Sequence, residues 1–260
     1  MSSMNEGEVQ TDTSLDIKFA SSLEVALYVR WRRALSGDES IPEAEPSSTL
    51  EKARNRWWQE IIREYTKLER RYHGLTHLQQ MFGEMDRHVG RLTRPDRVAL
   101  AVFFHDINEE KSAERFNAFA QEATRMSKED IGVVHAYILA TKTHQMSQSP
   151  EVDDDLALFL DIDMSILGQP REIYMRYAGA IRAEHKHVPR SLYLEKRAQI
   201  LSSFIEGGGK YIKGGRQSLR REIYASQFYK NELEEQARDN IAGEIYMLRR
   251  GVIPYEDKER

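Results

Sequence analysis

Two ionisable side chains, His105 and Asp106, directly follow the continuously apolar run Val98–Phe104. Burying such groups without partners is costly. A divalent cation held jointly by a neutral imidazole and a carboxylate offsets that cost; a pair fraying into solvent at a helix end is the plainer alternative. A second supplier is the segment RRYHGLTHL, Arg70–Leu78, in which His73 and His77 are four apart and would share a helical face if the helix began early. Gly74 favours a later start, which leaves His73 in the preceding loop and His77 in the first turn. The third supplier is FLDIDMSILG, Phe159–Gly168, where Asp161 and Asp163 interrupt an apolar helix. Two residues on a helix are roughly 200° apart, so both carboxylates cannot face one ion. Asp163 has Phe159, Leu160, Ile166 and Leu167 as its three- and four-residue neighbours. It is the costlier carboxylate to bury and hence the better ligand. Asp161 is left as a cap, a salt-bridge partner or a group that holds a histidine in the right tautomer. The chain has no cysteine, so any metal must be held by His, Asp and Glu.

Helices must position these groups. From Thr49 onward, apolar spacing predicts successive helices over about 49–69, 75–90, 94–106, 112–126, 128–143, 153–168, 170–186, 190–205 and 218–249. There are few alternating segments and almost no hairpin signals, so the fold class read from the sequence is all-α. Periodicity alone does not tell a buried strand from a wholly buried helix over Val98–Phe104, but the flanks do. Thr93 as N-cap, Pro95 in the first turn and Asp96 near the positive end of the dipole make a helix start, so a central helix runs straight into His105-Asp106. Residues 1–14 read as a disordered tail and 15–48 as an N-terminal helix plus a loop containing Pro42 and Pro46, packed on a main domain over 49–250; residues 251–260 read as a C-terminal tail. GGGKYIKGG, Gly207–Gly215, lacks P-loop spacing and reads as a mobile connector. No internal repeat is evident.

The charged share is 31% and the apolar share 40%, with 38 basic and 42 acidic residues interspersed to give a net charge of -4. That balance describes a folded, water-exposed chain with no field favouring nucleic acid or an anionic membrane. No apolar run reaches the ~18 residues needed to span a bilayer, and the polar, acidic start lacks a signal-peptide pattern; the expectation is a cytosolic protein.

The order His, then His-Asp, then Asp, on separate helices of an all-α chain, resembles the HD superfamily of metal-dependent phosphohydrolases. From about Trp57 to Glu244 the chain is similar to a little-characterised subfamily of predicted HD phosphohydrolases. The segments that carry the likeness are RRYHGLTH (Arg71, Tyr72, His73, His77), FFHD (His105, Asp106), NEEKSA (Asn108, Glu109, Ser112, Ala113) and DIDMSILG (Asp161, Asp163, Gly168). Thr141–His144, Ile181–Glu184 and Ala237–Glu244 add further matches. The resemblance implies an HD-like helical bundle with His77, His105, Asp106 and Asp163 as ligands of one divalent ion (Mn, Co, Fe, Ni, Mg or Zn). It also implies hydrolysis of a small phosphorylated metabolite or nucleotide by metal-activated water. Members usually have a longer loop between the HD pair and the N-E-x-x-S-A segment; here Asn108 follows almost at once. The resulting HDINE string places Glu109 where the superfamily's nucleotidases carry a glutamate that orients or activates water, so Asp106 and Glu109 are the candidate proton acceptors; a helix N-terminal acid is the alternative for Glu109.

Arg71, His73, Lys111 and His144 are the candidate substrate contacts, with Lys142 beside them. Arg182 and Arg238 read equally as buried ion-pair formers. A di-iron oxygenase of the same fold would need two further histidines, for which His135 and His144 are the only candidates. Nine residues apart on one helix, they point to different sides. A non-catalytic metal-binding scaffold is the remaining class. Tyr224, Phe228, Tyr229, Tyr246 and Met247 of the last helix fit core or homo-oligomer contacts.

Overall fold

A computed structural model describes residues 19–36, 48–108, 110–142, 153–206, 210–212, 215–217 and 221–256. The chain is all-α. The described residues form ten α-helices: α1 (Ser22–Leu35), α2 (Thr49–Tyr65), α3 (Leu75–Arg87), α4 (Pro95–Phe104), α5 (Ser112–Ala123), α6 (Lys128–Ala140), α7 (Asp154–Met164), α8 (Arg171–Glu184), α9 (Arg190–Ile205) and α10 (Gln227–Arg249). Short 3-10 turns follow α3 and α7, at Val89–Arg91 and Ser165–Gly168.

The hub is α4, whose residues Val98–Phe104 are all buried. It packs against α1, α3, α5, α6 and α7, which explains why its sequence is apolar all round. Trp31 of α1 and Trp58 of α2 close an aromatic cluster with Phe82, Phe103, Phe104 and Phe119. Burying each such ring contributes about 1.5–3 kcal/mol, so α1 is an integral part of the fold. A second layer, α8 to α10, meets the first through the 3-10 turn after α7. Gly168 in that turn lies against α10, where an added Cβ would meet Leu233 Cβ at 2.5 Å.

Several sequence-based boundaries shift, for visible reasons. The N-cap of α4 is Arg94 rather than Thr93. The backbone N–H groups of both residues donate to Asp155 of α7, at 2.8 and 2.7 Å, which removes the need for a Thr side-chain cap. The last helix starts at Gln227, well after 218. Glu234 accepts from the N–H groups of Ile223 and Tyr224, and Asp161 from those of Ala225 and Ser226. This holds 223–226 out of the helix, and Ser226 caps it. Within the stretch read as a connector, Lys210–Ile212 and Gly215–Gln217 pair as a two-stranded antiparallel ribbon, β1 and β2. Residues 251–256 dock instead of trailing: Glu256 pairs with Arg182 and Arg190. Tyr224 and Tyr229 are core, whereas Tyr246 is 63% exposed. No helix among the described residues is long and apolar enough to cross a membrane.

Candidate metal centre

Four side chains from three elements meet beside α4. His105 is the C-cap of α4 and Asp106 follows it; His77 comes from the first turn of α3 and Asp163 from the end of α7. The Nε2 atoms of His77 and His105 lie 3.3 Å apart. Asp163 Oδ1 is 3.2 Å from His77 Nε2 and 3.6 Å from His105 Nε2. Asp106 Oδ2 is 3.3 Å from His105 Nε2. His77, His105 and Asp106 offer ligand atoms that all lie within 4.8 Å of one another.

The tautomers suit a cation. His105 Nδ1 donates to the Val102 carbonyl at 2.9 Å, which aims the Nε2 lone pair into the cluster. The two imidazole nitrogens face each other at 3.3 Å with both rings buried, close enough to share a proton or to bind one ion between them. The two carboxylates draw positive charge to the same point, here as a proton on His105. Burial opposes the imidazolium of His105, but the Asp106 and Asp163 carboxylates overcome it and push the group up to about 9. Burial would raise the Asp106 carboxyl, yet His105 and then His73 hold it well below the usual range. Burial lowers His77, which stays neutral and available as a ligand. A divalent cation that displaces the His105 proton fits this donor set, two imidazoles and two carboxylates.

The loop before α3 is locked against this centre. Glu184, at the end of α8, accepts from the N–H groups of Arg71, Tyr72 and His73 at 2.8, 2.8 and 2.9 Å. It also accepts from His73 Nδ1 at 2.7 Å, leaving His73 Nε2 3.8 Å from Asp106 Oδ2. Burial would raise the Glu184 carboxyl, but these contacts, His73 first, hold it down at about 2. A carboxylate with a depressed folded pKa adds stability above its unfolded value, and that stability is lost as pH falls through the folded value. Wild-type protein should therefore melt higher than Glu184→Gln at pH 5 and above. The gap should close between about pH 4.5 and pH 2; a gap that is constant across that range would contradict the assignment.

Arg70 supplies the second lock. Its guanidinium donates to the carbonyls of His73 at 2.7 Å and Asp106 at 2.6 Å and lies over the Tyr65 ring. It thus ties the loop before α3 to the turn that carries Asp106. Arg70→Met should weaken divalent-cation binding about 10–100-fold with Arg70→Lys intermediate, as read by calorimetric titration; an unchanged affinity in Arg70→Met would show that the clamp does not position the ligands.

A cavity of about 260 Å³ opens onto the centre. His73, His105, Asp106 and Asp163 form one side of it, Thr141, Lys142 and Arg197 add polar groups, and Tyr72, Tyr177, Leu201 and Phe204 give apolar walls. Arg197 is buried and paired with Glu244 at 2.8 Å, and its guanidinium lies over Tyr177. Lys142 Nζ donates to the Glu110 carbonyl at 3.1 Å.

Of the sequence-derived site residues, His73, His77, His105, Asp106 and Asp163 come together, and Lys142 lines the cavity. Arg71 and Lys111 are exposed and are not among its walls. Glu109 and His144 lie outside the described residues. Asp161 caps 225–226 and turns away from the cluster. His135 bonds Asn117 at 3.1 Å and is not a wall of the cavity, so nothing in its placement favours a second metal there. Arg182 and Arg238 make structural ion pairs with Glu256 and Glu234. Arg70, Tyr177 and Arg197 were not singled out from the sequence. Arg197 carried one signal: Tyr193 and Leu201, four residues to either side, are buried on the same face of α9.

No family model, curated protein or solved structure matches the chain.

Proposed function

We propose that the chain is a metal-dependent phosphohydrolase of HD type, acting on a small phosphorylated metabolite or nucleotide. The observation that carries this reading is the convergence of two buried imidazole Nε2 atoms with Asp106 and Asp163 at the wall of a cavity. The motif order His77, His105-Asp106, Asp163 and its resemblance to the HD superfamily supply the reaction class. A divalent cation bound by these four residues would supply Lewis acidity toward a phosphoryl oxygen and acidify a water.

The protein's own groups then have distinct tasks. The side chain of Asp106 is 32% exposed and faces the cavity, where it accepts the proton of the attacking water. His73, oriented by Glu184, presents Nε2 to a phosphoryl oxygen. Lys142 adds positive charge at the rim, and the Tyr72, Tyr177, Leu201 and Phe204 walls exclude water from the organic part of the substrate.

A panel of phosphomonoesters, phosphodiesters and nucleotides, assayed with the metal-reconstituted full chain, tests the reading. Phosphate release is expected only with metal, and not from His105→Ala. A metal-loaded protein inert across the panel would leave a binding scaffold in place of an enzyme. Activity that survives in His105→Ala would remove the centre from the chemistry.

A further inference from the structure

Arg197 of α9 is a wall of the cavity that opens onto the metal centre, and Glu244 of α10, which is not a wall, stands behind it. The guanidinium grips that carboxylate through Nε at 2.8 Å and Nη2 at 3.3 Å. The two side chains are 10% and 1% exposed, and Tyr174 also donates to Glu244. A buried ion pair gains little over apolar residues of the same volume. Stability alone therefore does not account for a charge set among Tyr177, Leu201 and Phe204 at the cavity wall.

The guanidinium is only partly used by its neighbours. It carries five N–H donors and no acceptor. Glu244 takes two of them, and the Tyr177 hydroxyl beside it accounts for at most one more. The rest lie on the side away from Glu244. No hydrogen bond to a described residue holds Nη1, and it is not a buried atom without a partner, so it has surface on the cavity.

Charge and shape select what meets this edge. Glu244 already balances Arg197, so a second anion gains little net attraction there and still gives up its water. A neutral acceptor gives up less. Tyr177, whose ring lies 5.5 Å from the guanidinium, and the Leu201 and Phe204 walls suit a flat, apolar body. Parallel N–H groups fit a pair of adjacent acceptors. Among nucleobases the O6 and N7 edge of a 6-oxopurine presents that pair, whereas adenine has a donor, its N6 amino group, in place of O6.

The metal centre lies in the same cavity, through His105, Asp106 and Asp163. Tyr72, 4.9 Å from the His77 ring, and Tyr177, 4.6 Å from Tyr72, line the way from that centre to Arg197. A ligand that touches both ends carries a phosphoryl group at one and acceptors at the other. At about 260 Å³ the space is close to the small end of ligand pockets, roughly 300–1,000 Å³, which suits a single nucleotide.

The geometry points to a nucleoside monophosphate with a 6-oxopurine base as the phosphoester this cavity takes, its O6 and N7 accepting from Arg197 while its phosphoryl group lies at the metal centre. Arg197, held in place by Glu244, is then the residue that sets base specificity. This inference rests on the phosphohydrolase reading of the same cavity.

The test compares inosine and adenosine monophosphates, which differ at the 6-position, on the Mn²⁺-loaded full chain. Calorimetric titration with their non-hydrolysable methylene phosphonate analogues reads binding, and phosphate release from the monophosphates reads turnover. The inosine compound should bind at least about 10-fold tighter, with kcat/KM higher by a similar factor. Arg197→Lys keeps a charge beside Glu244 but lacks the fork, and should reduce the preference to within about 3-fold. Arg197→Met combined with Glu244→Gln leaves no orphaned charge and should erase it; a retained metal-dependent rise in melting temperature shows that the variants fold. 3-Phosphoglycerate, which offers a carboxylate to the fork, should bind at least about 10-fold more weakly than the inosine analogue. Equal binding of the two analogues by wild type overturns the inference, as does a preference that survives both variants or tighter binding of 3-phosphoglycerate. Hydrolysis of other phosphoesters without the preference removes this inference alone. Preferential binding of the inosine analogue with no hydrolysis of any phosphoester supports the base site and removes the phosphohydrolase reading.

Discussion

Asp163→Ala is expected to lose divalent-cation binding by at least about 100-fold and phosphoester hydrolysis by about 1000-fold, the equivalent of roughly 4 kcal/mol of transition-state stabilisation. Its Oδ1 lies within 3.6 Å of both buried Nε2 atoms, so its removal takes away a group that bridges α3 and α4. In the wild type, saturating metal should raise the melting temperature, because an ion held by side chains from three helices would bind the folded state in preference to the unfolded one. In Asp163→Ala that rise should disappear. A variant that still melts higher with metal, at wild-type concentration dependence, would exclude Asp163 as a ligand.

Two residues earlier on the same helix, the opposite pattern is expected. Asp161 is 1% exposed and accepts from the N–H groups of Ala225 and Ser226, each at 2.7 Å. Asp161→Ala leaves both donors without their acceptor in a region of low exposure. At about 1–3 kcal/mol each, and more toward a charged acceptor, the variant should be destabilised by about 3–5 kcal/mol in urea unfolding. Hydrogen exchange of the 225 and 226 amides should accelerate with it. Asp161→Asn keeps an acceptor and should recover about half of the loss. Metal affinity should stay within a few-fold of wild type in both variants; equal loss of metal binding in Asp161→Asn and Asp163→Ala would contradict this division of roles.

The pair also shows what was legible in the sequence. A helix turns about 100° per residue, so Asp161 and Asp163 had to face different partners, and the apolar neighbours of Asp163 marked it as the inward one. The apolar run before His105-Asp106 marked that pair in a similar way, because burial of an ionisable group demands a partner. For His77, Gly74 indicated a place in the first turn of its helix, and the ligand role followed only from the family resemblance.

The groups that position the centre were harder to read. Arg70 and Arg71 are adjacent, and nothing local distinguishes them; the turn of the loop sends Arg70 inward to the carbonyls of His73 and Asp106 and leaves Arg71 exposed. Glu184 lies in one of the recognised segments, but its four contacts are with residues 111 to 113 positions away, beyond any periodicity argument. Arg197 resembles an ordinary surface cation until Glu244 and Tyr177 close around it. The start of α10 moved for a related reason: Glu234 and Asp161 capture the N–H groups of 223–226 and draw them out of the helix, a tertiary effect that local propensity does not contain.

The most direct test of the centre is anomalous diffraction from crystals of the full chain soaked in Mn²⁺. One peak is expected, at about 2.0–2.3 Å from His77 Nε2, His105 Nε2 and oxygens of Asp106 and Asp163. A fully soaked crystal with no peak among these four side chains, or with its peak on a different set of ligands, would contradict the account.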